Sequence, residues 1–168
     1  MSDAHKSIKK GLSEAIDPAR GNHTRPTDSA AKENTVTDHP PMTPTLKPFN
    51  PSAEYYTEER CWINELSNSD DDPDLSIAQA RVHPGVTTRW HRVNGTIERY
   101  VIQSGSGRVE VGDLPPQTVG PGDVVIIPAG CQQRIANIGA EDLVFLAICT
   151  PRFRVRSYED VDPEPMGD

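Results

Sequence analysis

The chain has 168 residues, which suits one domain and an extension, since a domain takes roughly 100–200 residues. Its formal net charge of −8 is unevenly spread: residues 51–168 hold 10 of the 17 Lys and Arg but 19 of the 25 Asp and Glu. An acidic surface repels phosphate backbones, and no apolar run approaches the roughly 20 residues that span a bilayer, so neither nucleic acid nor a membrane is an expected partner.

Residues 1–50 carry prolines at 18, 26, 40, 41, 44 and 48 and a single aromatic, Phe49. That composition buries too little apolar surface to offset the entropy of ordering, so the segment reads as a flexible, disordered N-terminal extension. The opening "MSDAHKSIKKGLSEAI" lacks the apolar stretch and small-residue cleavage site of a secretory signal. The three cysteines, Cys61, Cys131 and Cys149, form no C-x-x-C pair and read as free thiols of a reducing compartment. A cytoplasmic protein is the simplest expectation. No Lys follows Lys47, which removes Schiff-base chemistry from the folded part.

From Ser52 onward, short strand-like runs alternate with turn residues, the pattern of a sandwich or barrel. The runs are 61–66, 76–82, 87–93, 97–103, 107–112, 123–128, 132–137 and 142–150. "NSDDDPD", "HPG", "NG", "SGSG", "DLPP", "GPGD", "PAG" and "IGAED" separate them. Asn94-Gly95 is the strongest hairpin signal, because both residues accept positive φ. The run Val124 to Ile127 is continuously apolar, as in a strand buried on both faces. These features divide the chain into an extension at 1–50, a folded β domain at 51–160 and a C-terminal tail at 161–168. "NSDDDPD" lacks the spacing of a calcium loop and reads as a turn. "PRFRVRSYEDVDPEP" alternates Arg with apolar residues and reads as an edge strand, a dimer contact or a plain solvated strand.

The period of two assigns faces. Arg89, His91 and Val93 share one side, with Trp90 and Arg92 on the other. Glu98, Tyr100 and Ile102 share a face, as do Cys131, Gln133 and Ile135.

The run Gly85, His91, Val93, Glu98, Gly105 resembles the first motif of the cupins, with Val93 where that motif has its second His. The run Gly122, Pro128, Gly130, Gln133, Asn137 resembles the second motif, with Gln133 in place of its His. The resemblance covers roughly residues 76–150. It implies an all-β fold, the double-stranded β-helix or jelly roll, often dimeric, whose β-barrel interior binds one divalent transition metal such as iron, manganese, nickel, copper or zinc. Carried onto this chain, the ligand positions are His91, Glu98 and Gln133.

Several readings of these residues compete. His91 and Glu98 supply a good nitrogen and a good carboxylate, Gln133 a weaker amide oxygen, and Val93 nothing. An inward Glu98 must be paired or neutralised. Its partner is a metal, protonated His91, or Arg89, and Gln133 completes a metal-free network equally well. His83 has the parity of His91 but follows a strand end, where it reads more simply as a surface residue. Cys131 is either a soft ligand or oxidisable thiol, or a small buried hydrophobe.

The leading expectation is a metal-binding cupin acting on a small organic molecule, with dioxygenase-like chemistry slightly preferred. Glu98 and Tyr100 would be catalytic, and Arg89, Tyr100 and Cys131 would contact substrate. The alternatives are a non-catalytic small-ligand or metal-binding module, for sensing, storage or an accessory role, and a metal-free acid/base isomerase or lyase. Outward Trp90, Arg92 and Arg99 suggest a homodimer.

Overall fold

A computed structural model describes residues 42–163. The expected extension over 1–50 therefore lies mostly outside the described residues, as does most of the tail at 161–168. Eleven strands follow one another: β1 (Tyr55–Tyr56), β2 (Trp62–Ser67), β3 (Ser76–Val82), β4 (His91–Val93), β5 (Ile97–Ser104), β6 (Gly107–Val111), β7 (Gln117–Val119), β8 (Val124–Ile127), β9 (Gln133–Asn137), β10 (Leu143–Thr150) and β11 (Tyr158–Asp160). Short 3-10 turns cover Pro51–Ala53 and Val155–Ser157.

The strands form two antiparallel sheets. One has six strands in the order β1-β2-β3-β10-β5-β8, the other five in the order β11-β4-β9-β6-β7. This is the all-β jelly roll that the turn spacing and the two motifs imply. It is not the closed barrel expected, because among the described residues no ladder joins the two sheets and each keeps its own edges. A sandwich results, with side chains of the two inner faces meeting between the sheets.

The core follows the alternation. Val82, Ile102, Ile127, Ile135, Leu143 and Phe145 are all buried, drawn from both sheets. Tyr100 lies against Phe145 with ring centroids 4.4 Å apart. The motif glycines have local reasons. Gly105 takes φ +84°, and a Cβ there would meet Asp142 O at 2.7 Å, so the turn after β5 passes too close to the β10 entry for any side chain. Asn137, the last residue of the second motif, is likewise structural: its Nδ2 donates to Val82 O and Glu141 O, both at 2.8 Å, and its Oδ1 accepts from Gly139 N.

One strand departs from expectation. Val124 and Ile126 of β8 are 56% and 65% exposed rather than buried on both faces. β8 is the outer strand of the six-stranded sheet, and among the described residues nothing covers the face that carries Val124 and Ile126. Continuous apolarity reports which residues lack polar groups, not what covers them.

Candidate functional site

β4 and β9 place His91 and Gln133 opposite each other in the five-stranded sheet, and β5 carries Glu98 in the other. Gln133 Nε2 donates to Glu98 Oε2, so this short hydrogen bond crosses the sandwich and ties the sheets together. Cys149, the cross-strand partner of Glu98 on β10, places its Sγ 3.8 Å from Glu98 Oε1. Glu98 is 7% exposed and Gln133 fully buried. Burial pushes the Glu98 carboxyl above its ordinary value, against the opposing pull of the His91 charge and the Gln133 hydrogen bond.

His91 has a different partner. Its Nδ1 lies 2.7 Å from Glu59 Oε1 and 3.0 Å from Arg89 O. Burial disfavours the imidazolium, but the charge and hydrogen bond of Glu59 outweigh it, and the pKa rises to about 9. The ring stacks on Tyr158 of β11 at 5.4 Å. Glu59 reaches this place because the chain turns between β1 and β2, closed by Thr57 N to Cys61 O at 2.9 Å, and because Arg89 N donates to Glu59 O at 3.1 Å. Arg60 takes φ +71° within the same turn.

Metal coordination, expected at His91, Glu98 and Gln133, does not follow from this arrangement. Among the described residues no group of three or more His, Cys, Asp or Glu side chains is placed to hold a metal ion. The physical reason is visible in the donors. His91 Nδ1 is taken up by Glu59 and Arg89 O, Glu98 is engaged by Gln133, and Val93 is a buried hydrocarbon. The metal-dependent reading, and dioxygenase-like chemistry through a bound iron, manganese, nickel, copper or zinc, is thereby overturned.

The remaining expected residues are distributed as follows. Tyr100 is buried on the face of Glu98, and burial raises its hydroxyl well above the ordinary phenol range, so it is a neutral donor. Arg89 is buried, but its Nε donates to Asp160 Oδ2 at 2.7 Å rather than reaching Glu98. Cys131 is half-buried in the turn after β8, packed near Gly112. His83 stays on the surface, with Nδ1 2.8 Å from Asp142 Oδ1 and Nε2 accepting from Trp62 Nε1. Trp90 and Arg92, expected to face a partner, are engaged within the chain, under the Arg134 guanidinium and with Glu159 respectively. Arg99 donates to Thr150 Oγ1.

Two connected spaces lie between the sheets. An inner one of about 50 Å³ is lined by His91, Glu98, Tyr100 and Thr88, with Cys61 and Ile135. An outer chamber of about 210 Å³ opens beyond it, walled by Ile63, Ile77, Ala147, Phe153 and Val155, with Glu59 and Glu98 on its floor. Glu59, Ile63, Glu98, Ala147, Phe153 and Tyr158 line both, so the outer chamber leads to the polar pairs. Burial pushes the Cys61 and Cys149 thiols up to about 12, which keeps them neutral. Sequence reasoning missed Glu59, Tyr158 and Phe153, which come from the turn between β1 and β2, a short edge strand and a loop. The acidic "TEER" turn was the one signal for the first.

Residues 78–149 match the family model described as "Cupin domain". No curated protein matches the chain. Solved structures share the fold: KdgF from Halomonas sp. superimposes with a TM-score of 0.53 at 16% identity, over 60% of this chain and 88% of that one. The Streptomyces protein Pac13, described as a nucleoside dehydratase, gives 0.58 at 13% identity, over 70% and 92%. Oxalate decarboxylase from Lactobacillus farciminis gives 0.56 at 23% identity, over 64% of this chain and 33% of that one. At these identities the likeness is one of fold. With both motif frameworks in place on a two-sheet jelly roll, residues 78–149 of this chain are a cupin domain.

Proposed function

We propose that this cupin domain is a non-catalytic binding module for a small organic molecule, whose apolar body occupies the outer chamber and whose polar end reaches the Glu98 carboxyl. The observation that carries this reading is the chamber itself: a concave, mainly apolar space leading to a few fixed polar groups is what small-molecule sites look like. The former metal positions have become internal pairs. Gln133 holds Glu98, Glu59 holds His91, and Val93 lines the inner space as a buried hydrocarbon, so His91 and Gln133 serve to shape and fix the floor. The inner space has room for one or two water-sized groups, which suits a hydroxyl or amide tip.

One observation supports a second reading. Glu98 is a buried carboxyl with a raised pKa facing a cavity, the state in which a carboxylic acid donates a proton near neutrality. A metal-free isomerase or lyase would use Glu98 as acid/base and the neutral Tyr100 hydroxyl as a positioning donor.

A homodimer is the proposed assembly, supported by the exposed apolar face of Val124 and Ile126 on edge strand β8. The cytoplasm is the proposed location, supported by three free thiols. No helix among the described residues is long and apolar enough to cross a membrane.

The test is a thermal-shift screen of small organic molecules, with product analysis of every hit. Binding raises the melting temperature by linkage. Hits that emerge unchanged, and that lose their effect in Ala147→Phe, support the binding module. A product whose formation stops in Glu98→Gln and survives a chelator supports the acid/base reading instead.

A further inference from the structure

The segment 151–157 separates its residues by chemistry. Phe153 and Val155 line the outer chamber, while Arg152, Arg154 and Arg156 line an open cleft of about 440 Å³ beside it. Glu65, Asn68, Phe153 and Val155 line both, so chamber and cleft share a wall. Chamber and cleft are therefore adjacent.

The cleft has donors in excess. Arg152 is mostly buried, and its Nε and Nη1 have no hydrogen-bond partner. Buried guanidinium N–H groups left without an acceptor are costly and call for one. Arg154 and Arg156 are exposed beside it, and Glu65 is the acidic side chain on the cleft wall. What these arginines can donate to is indicated by the group now touching them. Asp70 Oδ1 lies 3.1 Å from Arg152 Nη2 and 3.9 Å from Arg154 Nη2, while its side chain is 89% exposed. An ion pair so open to water is weak and readily displaced. Its departure would free Nη2 and let the Arg152 guanidinium turn its other N–H groups to an incoming pair of oxygens, the planar fork that arginine offers a carboxylate.

We propose that this cleft is the carboxylate subsite of the chamber's ligand, with Asp70 standing in for the ligand's own carboxylate, so that the ligand is a small organic acid with an apolar body. This rests on the small-molecule reading of the chamber. The acid's charge falls on Arg152, Arg154 and Arg156, and its hydrocarbon on Phe153, Val155 and Ile63. The alternating Arg read from sequence as an edge strand, a dimer contact or a solvated strand; in the structure the three Arg line the cleft, and Phe153 and Val155 line both cleft and chamber.

Isothermal titration of the full chain with straight-chain ω-hydroxy monocarboxylates of roughly two to ten carbons, whose hydroxyl can reach Glu98, each beside its primary amide, tests this. The expected result is an acid that binds about tenfold tighter than its amide. Arg152→Gln and the exposed Arg156→Gln each weaken the acid by a similar factor and leave the amide unchanged, and Asp70→Asn strengthens the acid. Equal affinity for acid and amide, or weaker acid binding in Asp70→Asn, would overturn the carboxylate subsite while leaving the chamber reading intact. Acid binding that depends on Arg152 but is indifferent to Ala147→Phe would overturn the joined ligand and the chamber reading. Absence of binding by either class would overturn both.

Discussion

His91 Nδ1 sits 2.7 Å from Glu59 Oε1 in the floor of the chamber, and this pair, rather than a metal, satisfies the motif histidine. A pair of this kind has a pH signature. The folded-state pKa of His91 is raised to about 9 from an ordinary value near 6.5, so its contribution to stability is complete below about 6.5 and is lost as pH rises through about 9. Burial of a coupled pair makes the size of this contribution on the order of 1–3 kcal/mol. Thermal melts should show a falling melting temperature between those limits in the wild type. Glu59→Gln should be less stable at pH 6 and should lose most of that slope; a variant with an unchanged slope would separate the pH response from this pair.

Removal of metal should do nothing. Dialysis against a chelator should leave the melting temperature unchanged, and added zinc, manganese or iron should raise it by no more than a degree or so, since ligands that are already paired offer little binding energy to drive linkage. A rise of several degrees with near-stoichiometric metal would show that the Glu59 and Gln133 pairs open to admit an ion.

The two turn glycines of the first motif should respond differently to alanine. Gly85 and Gly105 both have positive φ, at +75° and +84°, so each substitution carries the left-handed penalty of about 1–2 kcal/mol. A Cβ at Gly85 meets nothing within 4 Å, whereas at Gly105 it meets Asp142 O at 2.7 Å and Leu143 Cα at 2.8 Å. Gly105→Ala should therefore cost more than Gly85→Ala by at least ~1 kcal/mol in denaturant melts. Equal losses would mean that the β10 entry shifts freely.

The β8 face predicts the assembly. Sedimentation should find a dimer that Ile126→Lys converts to monomer, with the monomer's fold intact because Ile126 is 65% exposed within the chain. A monomeric wild type would leave that face uncovered and remove the dimer.

Much of the fold was legible because its signals are local. Strand 76–82 was bounded as it is found, and Glu98, Tyr100 and Ile102 share a buried face as the period of two requires. The site was only half legible. Parity placed His91, Glu98 and Gln133 inward, but the identity of each partner depends on residues far along the chain. Glu59 arrives from the turn before β2, and Tyr158 and Asp160 from a strand that pairs with β4 across more than sixty residues of sequence. Arg89, one of three partners that the sequence allows Glu98, pairs instead with Asp160 on the neighbouring strand. Neither motif spacing nor alternation contains such long-range pairings, and they decide whether an inward His and Glu meet a metal or each other's neighbours.

The most direct test of the account is to find what enters the chamber and where it sits. Two-dimensional NMR titration of the wild type with small organic acids and amides should give saturable shifts at Ile63, Ala147 and Phe153, and Ala147→Phe should abolish them while retaining the folded spectrum. Shifts confined to other surfaces, or shifts that persist unchanged in Ala147→Phe, would contradict a ligand in the chamber and with it the binding function proposed for this domain.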